Sequence, residues 1–446
     1  MGKITNVIKR TGAIVPFKPE RITNAIYRAA IAVGGRDRDV AEKLCEKVVR
    51  ILEEQTPPGH IPHIEDIQDI VERVLIHEGH AKVAKAYILY RDERTRRRKE
   101  HDALVSRPSR NIPWAKSWHI LDWAVDHGLN TVWGLNQRLE KGEFSDIVQE
   151  SETAYSEDLE NASEQITERV KGLRIVIITG PSSSGKTTTT IKLSQKLTTT
   201  GMHFRPMNLD NYFFNLEKHP KDEFGDYDFE TPQALDLSLI NEHLKRLLEG
   251  DEMLLPSYNF KAGLRTNDQI PMKLEPGEVL LIDSLHGLYP TMTDGIPDEY
   301  KFKLYLEPLL QMKGPSGEYI HWADLRLIRR MLRDDIHRAY DPHHTLEHWH
   351  YVRSSEMHNI IPNINQADYI INTAMPYEVA IYRARLKSKF IKWEKSFKND
   401  PLHQDAYKRI ARILLWMNAV QPMDDESAIP QDSVIREFIG GSIFNY

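Results

Sequence analysis

Cysteine is almost missing: Cys45 is the only one in 446 residues. No intramolecular disulfide can form, and a thiolate-based metal centre is not expected. The scarcity fits a reducing compartment, so a cytoplasmic location is expected. Long apolar runs are missing too. No stretch reaches the roughly 18 consecutive apolar residues of a membrane span. The opening MGKITNVIKRTG lacks the apolar core of a secretion signal. Asn6 stands where a myristoylation pattern wants Ser or Thr, so no lipid anchor is expected on Gly2. Nor is there an excess of positive charge. The formal net charge is −6, from 59 Lys and Arg against 65 Asp and Glu. Neither nucleic acid nor an anionic membrane is favoured as a partner. The basic run RTRRRK at 94–99 reads as a solvated helix end or linker.

What is present is an ordinary globular composition, 40% hydrophobic and 28% charged, on a chain long enough for two or three domains. Residues 1–100 read as one compact unit. ITNVIKRTGAIVPF has two short apolar segments around Thr11-Gly12, which predicts a hairpin. Helical spacing follows over Glu20–Val33, Asp39–Glu54, Ile64–Gly79 and Ala81–Arg98. Residues 101–172 read as a helical connector. Trp114, Trp118, Trp123 and Trp133 fall within it and are expected to pack onto a neighbouring domain. From 173 to 446 the texture is that of an α/β domain. RIVIIT is apolar on both alternations, as in a parallel strand buried on both faces. HFRPMNL, EVLLID, KFKLYL and DYIINT are further strand candidates, so a mostly parallel central sheet is expected.

The segment after RIVIIT carries the strongest chemistry. GPSSSGKT, Gly180 to Thr187, matches G-x-x-x-x-G-K-[ST] between a predicted strand and a predicted helix. Gly180 and Gly185 let the backbone curl so that N–H groups face inward, and Ser182, Ser183 and Ser184 complete the loop. The helix N-terminus at Lys186, Thr187 and Thr188 adds partial positive charge. Lys186 can reach the β- and γ-phosphates of ATP, and the Thr187 hydroxyl can ligate Mg²⁺. No Asn-Lys-x-Asp base-reading motif of a GTPase is present, and no coupling elements of a motor or transporter were found. A small-molecule kinase needs a base, an acid near Mg²⁺ and arginines. Asp210, where HFRPMNL ends, can accept the proton of an attacking hydroxyl. Asp283, where EVLLID ends, suits Mg²⁺. ADLRLIRRMLRDDIHR predicts an amphipathic helix with Leu325, Ile328, Leu332 and Ile336 buried. Arg326, Arg330 and Arg333 then share another face as a lid over the transferred phosphate. Tyr212, in the aromatic NYFFN beside Asp210, suits an acceptor-site wall. His344 and His348 are four apart and could share a helix face and bind zinc. With no Cys or evident third ligand, solvent-facing histidines are expected instead.

Taken together, these residues resemble the uridine kinase and phosphoribulokinase family of P-loop kinases, over much of 174–375. GPSSSGKTT, LDNYF, YDFETPQALD, LPSYNF and RLIRRMLRD follow the family's order. The resemblance implies ATP- and Mg²⁺-dependent phosphoryl transfer to an alcohol, with Asp210 as general base and Lys186, Arg330 and Arg333 at the phosphoryl group. It implies nucleoside contacts at or near Tyr227, Phe229, Tyr258 and Arg265, and acceptor-side roles for Arg338 and its neighbours. Two positions depart from the pattern. Gly263 stands where nucleoside-specific members have a base-contacting His, and Asp283-Ser284 replaces Glu-Gly. The stretch from IPDEYKFKLYL to the ending REFIGGS is similar to a longer bacterial branch of uridine-kinase-like proteins. Residues 1–100 resemble an ATP-cone, through VIKRTGAIVPFKPERITNAIYRAA and the closing AKAYILYR. That resemblance implies a regulatory ATP or dATP site, with Val7, Lys9, Arg10, Arg21 and Lys85 as candidate contacts. The expectation is a cytoplasmic kinase, homo-oligomeric, acting on a nucleoside. A sugar, sugar phosphate or polyol acceptor, or a non-catalytic nucleotide sensor, remain open alternatives.

Overall fold

A computed structural model describes residues 4–8, 14–35, 37–57, 61–88, 113–220, 227–260, 262–337, 342–398, 400 and 403–445. The chain divides into two compact units, 1–109 with 394–408, and 110–393 with 409–446.

In the first unit, β1 (Asn6–Ile8) pairs antiparallel with β2 (Ile14–Pro16), with Val7 opposite Val15. The expected turn at Thr11-Gly12 lies outside the described residues. Three helices follow: α1 (Glu20–Ala32), α2 (Arg38–Gln55) and α3 (Ile64–His77). Their ends follow local chemistry. Gly34 adopts φ +88°, just after α1 closes. The Asp37 carboxylate accepts from the N–H groups of Asp39 and Val40 and so starts α2. His63 and Asp66 form a reciprocal capping box on α3. The apolar stripes meet in one core of Val7, Ile26, Leu44, Val48, Leu52, Ile67 and Val71. Each large side chain buried there contributes roughly 1.5–3 kcal/mol. Residues 81–88 are helical, and the rest of the predicted fourth helix lies outside the described residues.

The second unit is built on a five-stranded parallel sheet. It contains β3 (Ile175–Thr179), β4 (His203–Asn208), β7 (Glu278–Ser284), β8 (Lys301–Glu307) and β9 (Tyr369–Asn372), in the order β4-β7-β3-β8-β9. The five predicted strands are these five. All of β3 is buried, as its unbroken apolar run requires. The sequence reading did not anticipate a second pair. β5 (Met253–Asn259) and β6 (Leu264–Met272) form an antiparallel ribbon outside the main sheet.

From residue 113 on, the stretch expected as a connector is folded onto this sheet. It carries α4 (Trp114–Asp126), α5 (Val132–Glu140) and α6 (Phe144–Glu168). Asp158 of α6 accepts from the Asn372 N–H and the Tyr369 hydroxyl on β9, each at 3.0 Å. The tryptophans differ from expectation. Trp114, Trp118 and Trp133 are exposed, because α4 and α5 bury Ala124, Val132, Leu135 and Leu139 instead. Only Trp123 is partly covered, stacked on His127.

Helix α7 (Lys186–Thr199) follows β3 directly. Helix α8 spans Leu237–Glu249. Helices α9 (Trp322–His337) and α10 (Pro342–Ser355) lie between β8 and β9 in the chain, and α11 (Glu378–Phe397) and α12 (Gln404–Ala419) follow. A last short turn, α13 (Arg436–Ile439), buries Glu437, Phe438 and Ile439.

Candidate functional site

Parallel pairing brings three strand ends to one edge. In register, Thr179 of β3 lies beside Ser284 of β7, and Asp283 of β7 beside Asn208 of β4. The phosphate-loop sequence leaves β3, Asp210 follows β4, and Asp283 is the penultimate residue of β7 between them. This edge outside the carboxyl ends of the strands is where such sheets bind ligands.

The loop's shape rests on its glycines. A Cβ at Gly180 would meet the Leu306 carbonyl oxygen at 2.2 Å, and one at Gly185 would meet the Val434 side chain at 2.5 Å. Gly185 also adopts φ +88°, and Ser183 between them turns at φ +59°. Alternation of this kind folds successive backbone N–H groups into an anion-binding nest. The outward carbonyls are held from behind. Lys186 Nζ donates to the Gly180 and Pro181 oxygens at 2.9 and 3.3 Å. Thr373 Oγ1 donates to the Ser184 oxygen at 2.6 Å, and Arg326 Nη1 to the Ser182 oxygen at 3.3 Å. Ser183, Ser184 and Thr188 are buried, whereas Thr187 is exposed with its hydroxyl at the helix start.

Charge is concentrated around Lys186. Burial pushes its ammonium pKa down, while the carboxylates of Asp283, Glu437 and Asp210 oppose that shift. Asp283 is raised to about 6, chiefly by burial, with Asp210 and Glu437 adding to the rise and Lys186 opposing it. Asp210 is open to solvent on one side, its N–H capped by Asn208 Oδ1 at 2.9 Å. Desolvation by its walls raises its pKa, and Lys186 draws it back. A carboxylate poised above its usual range beside an ammonium suits proton acceptance from an alcohol.

Four arginines of α9 divide into two pairs. Arg330 Nη1 lies 3.4 Å from Ser182 Oγ and 3.4 Å from Glu230 Oε1. Arg333 pairs with Asp334 at 3.2 Å and is within electrostatic reach of Lys186. Arg326 differs from the expected lid. It is fully buried, bonded through both terminal nitrogens to Glu356 and 3.5 Å from Glu307. Arg329 is also fully buried, forked onto Glu378. The helix is packed into the core through Leu325, Leu327, Ile328, Met331 and Leu332. Ile336, expected in the stripe, is exposed. Arg338 lies outside the described residues.

Where the acceptor is expected, the rings meet. Phe213 lies 5.5 Å from Tyr258, 6.2 Å from Phe229 and 5.8 Å from Phe260 between ring centroids. His219 joins them, 4.6 Å from Phe229 and 6.5 Å from Tyr227. Tyr227 and Phe229 remain accessible, so the cluster presents an open aromatic wall. Two expected contacts sit elsewhere. Tyr212 is fully buried, its hydroxyl 2.8 Å from His243 Nδ1, so it belongs to the core. Arg265 is engaged by Asp236 at 3.0 Å and lies over Phe214. In the first unit Val7 is a core residue, Arg21 is half-buried and Lys85 is exposed, while Lys9 and Arg10 fall outside the described residues.

Sequence reading missed three residues. His286, just past β7, is buried and held neutral, with its pKa pushed down to about 4, and Lys186 lies within electrostatic reach. His219 carries no local signal; only the ring cluster singles it out. Glu437 lies in the quoted REFIGGS ending, and its carboxylate accepts from the Thr188 N–H and hydroxyl. His344 and His348 sit on exposed positions of α10, with His344 bonded to Glu347, and no group of three or more potential metal ligands exists among the described residues. No helix among those residues is long and apolar enough to cross a membrane.

Known proteins resemble the two parts separately. Residues 5–96 match the ATP cone domain, and residues 175–380 match the Phosphoribulokinase / Uridine kinase family. A uridine kinase of Bacillus pumilus is 30% identical over 209 residues, covering 46% of this chain and 90% of that protein. Uridine-cytidine kinase B of Dictyostelium discoideum is 26% identical over 208 residues, covering 46% of this chain and 77% of its own length. A vitamin B12-dependent ribonucleoside-diphosphate reductase of Thermoplasma acidophilum is 40% identical over 106 residues, which make up 23% of this chain and 13% of that protein.

Proposed function

Because the chain belongs to the phosphoribulokinase / uridine kinase family and carries an ATP cone domain, we propose that it moves the γ-phosphoryl of ATP to a nucleoside hydroxyl. A uridine- or cytidine-like nucleoside is the acceptor in this reading, and the cytoplasm its location. The observation that carries it is the convergence at one sheet edge of the glycine-shaped loop, Asp210 and Asp283. Asp210 takes the proton of the attacking hydroxyl. Lys186 and Arg330, with Arg333, face the negative charge that develops on the phosphoryl oxygens. The Thr187 hydroxyl and the Asp283 carboxylate are hard oxygen donors, so this pair fits Mg²⁺ completed by phosphate oxygens and water. When bound, that ion neutralises phosphate charge. The open wall of Tyr227 and Phe229, backed by the buried Tyr258, suits a planar base, and aromatic stacking of this kind is worth about 1 kcal/mol. Arg265 and Tyr212 shape that wall from behind rather than touching the acceptor.

We propose further that residues 1–100 bind ATP or dATP and set the kinase rate or the assembly of a homo-oligomer. Lys9 and Arg10 are the first positions to change. A double alanine variant should lose the second nucleotide site and with it the dependence of rate or assembly on ATP level.

The deciding experiment is a phosphorylation screen with Mg²⁺ and ATP against nucleosides, sugars, sugar phosphates and polyols, with products identified by mass. Phosphorylated uridine or cytidine is the expected result. Turnover of only a non-nucleoside would keep the chemistry and replace the acceptor. Gly263 favours that second reading, since no imidazole stands there. Silence across the panel, with ATP still bound, would favour a nucleotide sensor.

A further inference from the structure

The segment that follows the family match reaches back onto the phosphate loop. Residues 429–439 lie beyond position 380, where the family match ends, yet Ile429, Ser433, Val434, Ile435, Phe438 and Ile439 are buried. Asp432 pairs with Lys192 on α7 at 2.9 Å, and Ser433 lies 3.2 Å from the Tyr377 hydroxyl. The Val434 side chain sits against Gly185, where it would meet an added Cβ. Phe438 lies under the buried Arg329 guanidinium, 5.0 Å from it. These contacts carry Glu437 to the start of α7. There one carboxylate oxygen accepts from the Thr188 N–H at 3.2 Å and from the Thr188 hydroxyl at 2.9 Å.

The chemistry of that position is specific. Thr188 is the third residue of a helix that opens directly from a glycine-rich loop. Its N–H belongs to the first turn of the helix and points out of the helix start together with the macrodipole. Such N–H groups are the ones that phosphates take. Here a carboxylate oxygen of Glu437, a residue only 4% exposed, already holds the seat, and it comes from the same chain. A phosphate oxygen cannot share an N–H and a hydroxyl at these distances with a carboxylate oxygen. Two anions there would also repel.

We propose that Glu437 is a further residue of the nucleotide site: it stands in for a phosphate at Thr188 in the nucleotide-free protein, and the polyphosphate of ATP displaces it. The proposal rests on the reading of the loop as an ATP site. Glu437 keeps the loop and the helix start formed without ligand and lowers ATP affinity by the strength of its own charge-assisted hydrogen bonds. Because Asp432, Ser433 and Phe438 anchor the same segment, nucleotide occupancy is thereby linked to how the segment 429–441 is seated.

The test measures MgATP binding to the full chain by calorimetry, for wild type and Glu437→Gln. The amide keeps the shape and a hydrogen-bond acceptor but removes the charge. The variant is expected to bind MgATP about tenfold more tightly at the loop site, which is separated from the cone site by repeating the titration in the Lys9→Ala, Arg10→Ala background. Equal or weaker binding by Glu437→Gln would overturn the proposal. If Glu437→Gln does not fold, Asp432→Asn loosens the same segment from its exposed edge. It should tighten MgATP binding about twofold, and unchanged or weaker binding there overturns the proposal equally. Failure of every version to bind MgATP would remove the ATP-site reading itself. Tight binding with no effect of either substitution would remove only this inference.

Discussion

One helix, α9, carries Arg326, Arg329, Arg330 and Arg333 within eight residues, and they serve two different ends. Arg329 spends its donors on Glu378, the Thr373 carbonyl and the Thr373 hydroxyl, and nothing of it reaches solvent. Arg326 is spent likewise on Glu356 and braces the Ser182 carbonyl from below. Arg330 and Arg333 are partly open, and Arg330 reaches the loop only through long contacts to Ser182 and Glu230. Proximity to a phosphate loop therefore does not make an arginine catalytic. What decides is whether its donors remain available to a ligand or are satisfied by the fold.

The two pairs should separate cleanly in experiment. Arg329→Ala strands the buried Glu378 carboxylate, and removal of one partner of such a pair costs roughly 3–5 kcal/mol. Little folded protein should be recovered, as read by thermal unfolding. A well-folded Arg329→Ala would break the comparison from the structural side. Arg330→Ala should keep its melting temperature and lose about a hundredfold in kcat. A stable variant with unchanged kcat would break it from the catalytic side.

Asp283 sharpens the contrast, because its proposed role works against stability. Its folded pKa, about 6, lies above the ordinary 3.8. Between those values the folded protein binds the extra proton, so stability falls as pH rises through the window and stays low above it. Asp283→Asn should raise nucleotide-free stability at pH 7 by on the order of 1 kcal/mol. The gain should vanish below about pH 4, while kcat drops with the loss of the Mg²⁺-side carboxylate. A lower melting temperature at pH 7 would contradict the strain. The smallest effect is expected on α10. His344→Ala with His348→Ala should leave stability and activity within error, with or without added zinc.

Much of this was legible because local chemistry and the fold agree. All five sheet strands have candidate segments in the sequence, β3 and β7 most plainly as apolar runs, and the loop is marked by spacing that has one physical use. Asp210 and Asp283 could be placed because strand ends in a parallel sheet face one edge. The failures have equally local causes. Arg326 shares a helical projection with Arg330 and Arg333, but a helix packed deep in the core buries its first turns whatever their charge. Tyr212 follows Asp210 by two residues, and the 3₁₀ turn 209–212 sends its ring inward to His243. The family resemblance places Arg265 at or near a nucleoside, and its partner in the structure, Asp236, is distant in sequence. Glu437 was beyond reach for the same reason, since 249 residues separate it from Thr188.

The central claim is that this sheet edge is a phosphoryl-transfer centre with Asp210 as its base. Its most direct test is one single-turnover measurement with MgATP and uridine on wild type and Asp210→Asn, scoring uridine monophosphate by mass while ATP binding is followed in parallel. The account predicts product from wild type, at least a thousandfold slower formation in Asp210→Asn, and ATP affinity unchanged within about twofold. Product formed at a comparable rate by Asp210→Asn, with ATP binding intact, would contradict it.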